Sequence, residues 1–229
     1  MRRRVLNLSL ILAVLTASKA VVSQEVIDRV AARVETDIIL VSDVHALGRY
    51  QLFIDGKSES DALVLDRLID QWIVRNEANA AQYPQPSNEE VQRSLGRLKR
   101  SFSSPAEFED RRRHSGLNSE ELLAMVKSQL YLSNYLDTRF RPSIQVEEKD
   151  VEEFYRARVV PRAEARSQTP PALEAARDFI QEALVQRAIN EQADRWLKES
   201  RSRIRVENLL NESKIAKVDW MDQPAKEKA

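Results

Sequence analysis

Polar and apolar residues alternate near the start of the chain, between residues 25 and 40. The apolar positions of the first half are Val26, Val30, Ala32 and Val34. This period of two predicts a strand. Glu35-Thr36-Asp37 is predicted to form a turn, although it lacks the Gly that is common in tight turns. Ile38-Ile39-Leu40 is predicted to be the returning strand. Arg203 to Glu207 alternates again and predicts a late strand. Because an isolated hairpin is only marginally stable in water, we expect Ile204–Val206 to pair with it.

Between these strands the apolar residues recur every three to four positions, which predicts helices. The predicted helices cover about residues 42–52, 60–82, 87–98, 104–116, 118–141, 148–159 and 172–202. We expect Ser42 to be an N-cap, Ser87 and Glu90 to form a capping box, and Asn118 or Ser119 to cap the fifth helix. Pro161 to Pro171 is predicted to be a loop. The predicted fold is mainly α, a multi-helix core domain whose small antiparallel sheet joins an N-terminal hairpin to a C-terminal strand.

The first residues have the pattern of a signal peptide, assigned to residues 1–23. Arg2-Arg3-Arg4 is basic, Val5 to Ala17 is apolar but too short to span a bilayer, and Ser18-Lys19-Ala20 has small residues at a cleavage site. Val21-Val22-Ser23 offers a second cleavage site. We therefore expect export to the periplasm, no stable membrane insertion after cleavage, and a core domain over residues 24–210. Residues 211–229 are rich in charge and are predicted to be a flexible tail.

Composition narrows the function classes. The chain has no Cys, which excludes disulfides and thiol chemistry, and only four Gly. Loss of the four basic side chains of the signal would leave 32 basic and 36 acidic residues, a net charge of −4. This mildly acidic balance is not typical of a nucleic-acid-binding protein.

Residues that could carry catalysis are few. His45 and His114 lie on different predicted helices without a metal-ligand pattern. The Asp and Glu pairs fall in first helical turns, where the helix dipole accounts for them. We predict no catalytic residue, no cofactor and no metal. The remaining candidates are apolar, because grooves between helices can bind extended or amphipathic peptides. The candidate peptide-contact residues are Leu68, Trp72, Val126, Leu130 and Tyr131. The alternative for each of them is ordinary core.

Several motifs, taken in order, resemble the core domain of the SurA-type periplasmic chaperones. The quoted stretches are VAARVETDIILVSDV, LVLDRLIDQWIVRNEA, PSNEEVQRSL, EFEDRRRHSGLNSEELLAMVKSQLYLSNYL and ALVQRAINEQADRWLKESRSRIRV. In that family an N-terminal module and a C-terminal helix and strand form one core domain. One or two parvulin-type prolyl isomerase domains are inserted between them. Here only a short Pro-containing stretch stands near residues 156–172, and no Gly or His follows Gly116. The inserted domain is therefore absent.

The resemblance implies an ATP-independent chaperone that binds unfolded or partly folded exported proteins, with outer-membrane barrel precursors the usual clients. Two other functions remain open at this point. A non-catalytic envelope adaptor would use the same fold to bind one dedicated partner. A peptidyl-prolyl isomerase would need the domain that this chain lacks.

Overall fold

A computed structural model describes residues 28–210, and in this range the chain is mostly helical with one small sheet. The predicted fold class is therefore confirmed. The proposed signal peptide, Val26 of the predicted first strand and the predicted tail lie outside the described residues.

The sheet has three antiparallel strands: β1 Val30–Val34, β2 Asp37–Leu40 and β3 Val206–Asn208, in the order β2-β1-β3. The hairpin turns at Glu35 and Thr36, and Glu35 has a φ of 52°, which is unusual for a residue with a side chain. Its side-chain Oε1 accepts from the backbone N–H of Arg205 at 2.6 Å, and its own N–H donates to the Arg205 carbonyl at 2.9 Å. These two bonds hold the turn in a conformation that would otherwise favour Gly.

The C-terminal strand pairs with the hairpin as predicted, but it begins two residues later than expected. Val206 lies opposite Val34, and Asn208 lies opposite Ala32. Ile204, assigned to the strand from the sequence, instead packs on the core beside the sheet. The reason is that β1 ends at its turn, so residues before Arg205 have no backbone to pair with.

The described chain contains eight α-helices. They are α1 Val41–Asp55, α2 Asp61–Ala80, α3 Asn88–Arg100, α4 Pro105–Ser115, α5 Ser119–Phe140, α6 Glu148–Phe154, α7 Val160–Glu164 and α8 Leu173–Arg201. The capping box of Ser87 and Glu90 is confirmed, and of the two caps predicted for the fifth helix the structure has Asn118, which forms a capping box with Glu121. The cap predicted at Ser42 is wrong, because α1 already begins at Val41. Carboxylates do the capping there: Asp43 accepts from the Leu40 N–H at 2.9 Å and Asp28 from the Ser42 N–H at 3.3 Å.

The prediction that the sixth helix ends before Pro161 is also wrong. A π-helical turn, Tyr155–Val159, joins α6 directly to α7, which contains Pro161. A proline ring inside an α-helix clashes with the carbonyl four residues earlier and leaves it without a donor. The wider π turn, in which the Val160 N–H donates to the Tyr155 carbonyl, lets the chain stay helical past Pro161.

Buried side chains divide the described residues into two regions. The main body, residues 28–143 and 188–210, contains three adjoining clusters: one under the sheet, one around Phe53 and one around Tyr131. The arm, residues 144–187, has one small cluster built on Val151, Ala176 and Ile180. Helix α8 belongs to both regions, since its first half packs on α6 and its second half packs on α2 and α5.

Candidate functional site

The candidates predicted on α2 pack beside the sheet. Leu68 and Trp72 are partly buried against the cluster under the sheet. The Trp72 indole Nε1 donates to Asp37 Oδ2 at 2.8 Å. This bond connects α2 to β2, so Trp72 has a structural contact of its own.

The candidates predicted on α5 lie in two other clusters. Val126 is 3% exposed and Leu130 is partly buried, both in the cluster around Phe53. Tyr131 is 4% exposed, and its hydroxyl donates to Asn79 Oδ1 at 3.0 Å. The five candidates are therefore spread over three clusters and do not form one exposed groove. Whether any of them contacts a peptide stays a prediction.

A large, open and mainly apolar surface lies on the arm. It is a cleft of about 1020 Å³ formed by the π turn, α7, the following loop and the first half of α8. We call it the arm cleft. Its lining residues are Phe154, Ala157, Arg158, Val159, Pro161, Arg162, Ala163, Arg166, Gln168, Pro171, Ala176, Phe179 and Arg187. A volume of this size is at the upper end of the usual range for ligand pockets.

Phe179 is the most conspicuous residue of the arm cleft. It is 76% exposed, more than any other large hydrophobic side chain that the structure describes as exposed. Its neighbour Ile180, about 100° further round α8, is fully buried, so Phe179 lies outside the side of the helix that packs on the arm cluster. Full burial of a Phe side chain is worth about 1.5–3 kcal/mol, which is the gain open to a ligand that covers Phe179.

Arginines form the charged part of the arm cleft. Arg158, Arg162 and Arg166 follow one another at intervals of four residues, and all three line the cleft. Their side chains form no hydrogen bond or ion pair with any described residue. Arg187 on α8 is the fourth, and it pairs with Glu191 at 2.9 Å. The lining contains no carboxylate, histidine or hydroxyl group, so it offers apolar contact and positive charge and no nucleophile or general base.

A second cavity of about 540 Å³ adjoins the arm cleft and shares Phe154, Ala157, Arg158 and Arg187 with it. It differs in charge, because Asp150, Glu153 and Glu191 also line it. The surface of the arm is thus polarised, from a cationic cleft to a cavity of mixed charge.

Polar contacts hold the walls of the arm cleft in position. The Tyr155 hydroxyl donates to the Pro171 carbonyl at 2.6 Å, which fastens the loop before α8 to the π turn. Arg177 on α8 pairs with Glu148 at the start of α6. The cleft therefore lies between elements that are connected both by the apolar cluster and by these contacts.

An ion-pair network connects the arm to the main body. Arg141 bridges Asp137, at 2.7 Å, and Glu182, at 2.8 Å, and Gln186 donates to both carboxylates. Hydrogen bonds from Arg141 and Gln186 lower the pKa of Glu182 to about 2. The same two partners, Arg141 first, lower the pKa of Asp137. The junction is therefore built from ionised carboxylates.

Sequence reasoning missed both features of the arm cleft, although each left a signal. Phe179 stands outside the apolar stripe of α8, which runs through Leu173, Ala176 and Ile180. A large aromatic on the polar side of an amphipathic helix is such a signal. The second signal is the four-residue spacing of Arg158, Arg162 and Arg166, which would repeat positive charge on one side of a helix, although in the structure Arg166 lies just beyond the end of α7.

Neither the histidines nor a membrane-spanning helix contributes to the arm cleft among the described residues. His45 lies 3.8 Å from Asp61, and both side chains are exposed. Residues 28–210 contain no group of three His, Asp or Glu side chains suited to a metal ion. Within the same residues, none of the helices combines the length and apolar character needed to cross a bilayer.

Comparison with known proteins gives no family for this chain: no protein-family model matches it, and no curated protein sequence matches it either. The resemblance to SurA-type chaperones therefore rests on the five sequence motifs alone.

Proposed function

We propose that this protein is an ATP-independent periplasmic chaperone of the SurA type, without a prolyl isomerase domain, that binds unfolded segments of exported proteins in the arm cleft. Outer-membrane barrel precursors are the expected clients. The observation that carries the proposal is the open cleft with Phe179 exposed beside it. An exposed apolar cleft that is held open by its own framework is the kind of surface that an unfolded chain can cover.

The expected affinity suits a chaperone that works without nucleotide. Covering Phe179 and the partly buried Phe154 and Val159 gives a modest apolar gain, and ordering an unfolded segment costs part of it. Binding is therefore weak and reversible, so a client can leave without an external energy source. The rest of the described surface carries many ion pairs, which favours solubility of the complex.

The proposed function includes two further statements: the protein has no prolyl isomerase activity, and it is located in the periplasm. Eight residues, 165–172, separate α7 from α8, too few for an inserted parvulin domain of about a hundred residues. The basic, apolar and small-residue pattern of residues 1–23 supports export. The second candidate is an adaptor that uses the arm cleft for one dedicated partner, and the uniform positive charge of the cleft favours it.

The test compares aggregation of denatured client proteins with and without the purified protein. Light scattering should fall when a denatured outer-membrane barrel protein, or an unrelated unfolded protein, is diluted into a near-equimolar amount. Phe179→Ser should weaken this protection several-fold. The matched control is Leu63→Ser, because Leu63 is also exposed, at 55%, but lies on α2 outside the cleft.

Three results are distinguishable. Protection of both clients that depends on Phe179 supports a general chaperone. Protection of neither client contradicts it and leaves the dedicated adaptor. Protection that Leu63→Ser abolishes and Phe179→Ser does not would place the binding surface away from the arm.

A further inference from the structure

The arginines of the arm cleft are arranged at a cost. Arg158 lies in the π turn, Arg162 in α7 and Arg166 just after the end of α7, and the three like charges, which repel one another, line the same cleft. Elsewhere in the described chain arginines are commonly paired: Arg93 with Glu89, Arg112 with Glu109, Arg156 with Glu152. The three cleft arginines have no such partner within residues 28–210.

The π turn keeps this arginine series on one surface. The helix must pass Pro161 between Arg158 and Arg162, and the wide turn over Tyr155–Val159 allows it to do so without breaking. Arg158 before the proline and Arg162 after it consequently line the same cleft. The lining of the cleft thus combines apolar residues with the guanidinium groups of these arginines.

We propose that the ligands of the arm cleft are extended peptide segments in which aromatic or aliphatic side chains stand next to aspartate or glutamate. This inference rests on the proposed function and adds the chemistry of the segment that is chosen. An apolar side chain would cover Phe179, and the neighbouring carboxylates would pair with Arg158, Arg162 and Arg166. Guanidinium groups bind carboxylates through paired hydrogen bonds, which gives direction as well as attraction.

Charge complementarity is the reason for choosing an acidic segment. The lining contains four arginines and no carboxylate, so a segment rich in Lys or Arg would be repelled. The adjoining cavity, lined by Asp150, Glu153 and Glu191, would discourage the same carboxylates from sliding further along the arm. The cleft therefore selects where along a client the chaperone binds.

An anionic lipid surface has related chemistry but fits the shape less well. The arginines and Phe179 surround a concave cleft, whereas a helix that lies on a membrane presents a protruding face with its apolar residues along one side. We therefore assign the cleft to peptides and include vesicles in the test.

The experiment measures binding of three fluorescent peptides by anisotropy at low salt. They share one pattern of Phe, Leu and Val, and differ only in intervening residues: Asp and Glu, Asn and Gln, or Lys. Single exposed ion pairs contribute little to affinity, so three together should make the acidic peptide bind roughly tenfold tighter than the neutral one. The advantage should shrink as salt rises to about 1 M.

The decisive variant is the triple substitution Arg158→Gln, Arg162→Gln, Arg166→Gln, which should remove the preference for the acidic peptide over the neutral one. The matched control substitutes three arginines outside the cleft that also have no side-chain partner among described residues. The control positions are Arg97, Arg100 and Arg195, each changed to Gln. It changes the net charge equally and should keep the preference.

The outcomes separate this inference from the proposed function. Equal binding of acidic and neutral peptides would overturn the inference and leave the chaperone standing. Failure of all three peptides would overturn both. Loss of the preference in the control variant as well would mean that net charge, not the cleft, selects the ligand. Binding to vesicles of anionic phospholipid but not to the acidic peptide would replace the peptide by a membrane.

Discussion

In the main body Phe53 is fully buried and its ring packs against those of Phe102 and Phe108, whereas in the arm Phe179 lies 76% exposed beside an open cleft. The arginines differ in how they are grouped. Some in the main body bridge neighbouring elements, as Arg49 does with Glu121, whereas three that lack a partner among the described residues line one and the same cleft in the arm. A region whose apolar and charged groups are satisfied maintains the fold, and a region where both are left open is where a ligand is expected.

The largest loss of stability is expected for Phe53→Ala in the main body. Removing this fully buried ring leaves a cavity between Phe102 and Phe108, and such changes cost about 3–5 kcal/mol. Urea unfolding should show this loss across the whole molecule. Ile54→Ala is the control, because Ile54 is the next residue but is exposed, and it should cost less than about 1 kcal/mol. Similar losses for the two variants would contradict the assignment of Phe53 to the centre of the body.

The arm should respond more locally to Ile180→Ala. Ile180 is fully buried in the small arm cluster, and its truncation should cost about 2–4 kcal/mol. Because the arm has this one cluster, hydrogen exchange should become faster in α6, α7 and the first half of α8 while the main body stays protected. The control is Phe179→Ala, at the exposed neighbouring position of α8, which should leave exchange unchanged. Faster exchange throughout the chain would mean that the two regions unfold together.

The smallest expected change in the free energy of unfolding comes from the ion-pair network that joins the arm to the main body, and this change depends on pH. The pKa of Glu182 is lowered to about 2 in the folded protein, so its pairing with Arg141 stabilises the fold above about pH 4.5 and is lost as pH falls towards 2. Glu182→Gln should therefore lower the free energy of unfolding at pH 6, by at most about 1 kcal/mol because the pair is exposed, and by almost nothing at pH 2.

The control for the junction is Asp178→Asn, an exposed carboxylate on the same helix with no side-chain partner among residues 28–210. It should show no comparable pH-dependent difference from the unmodified protein. A Glu182→Gln variant as stable as the unmodified protein at pH 6 would mean that the network does not hold the arm.

The elements of the main body could be predicted because their signals are local. Ser87 with Glu90 and Asn118 with Glu121 form their capping boxes within four residues, and the alternation of β1 and β2 is visible without any partner. The start of α1 was missed because its cap comes from the carboxylates of Asp28 and Asp43 rather than from Ser42.

The arm and its cleft were harder to predict for a different reason. A proline normally ends a helix, and the residues around Pro161 have no sequence pattern that predicts a π turn through which the helix can continue. Val126 and Tyr131 are candidate contacts from the sequence as apolar residues on a long predicted helix, but tertiary packing decides which side of a helix is covered. The same packing leaves Phe179 exposed. Its position outside the apolar stripe of α8 indicates this exposure but is not sufficient to predict it.

The pairing of β1 with β3 joins segments far apart in sequence, as the contact between Arg33 and Glu207 across 174 residues illustrates. Closing so long a loop is slow relative to forming helices, because its entropy is lost before the new contacts repay it. A chain that emerges N-terminus first would hold β1 beside β2 alone until residue 208 has arrived. Refolding should therefore show helices forming early and the sheet closing last, so a nascent chain completes its fold only after β3 has been delivered.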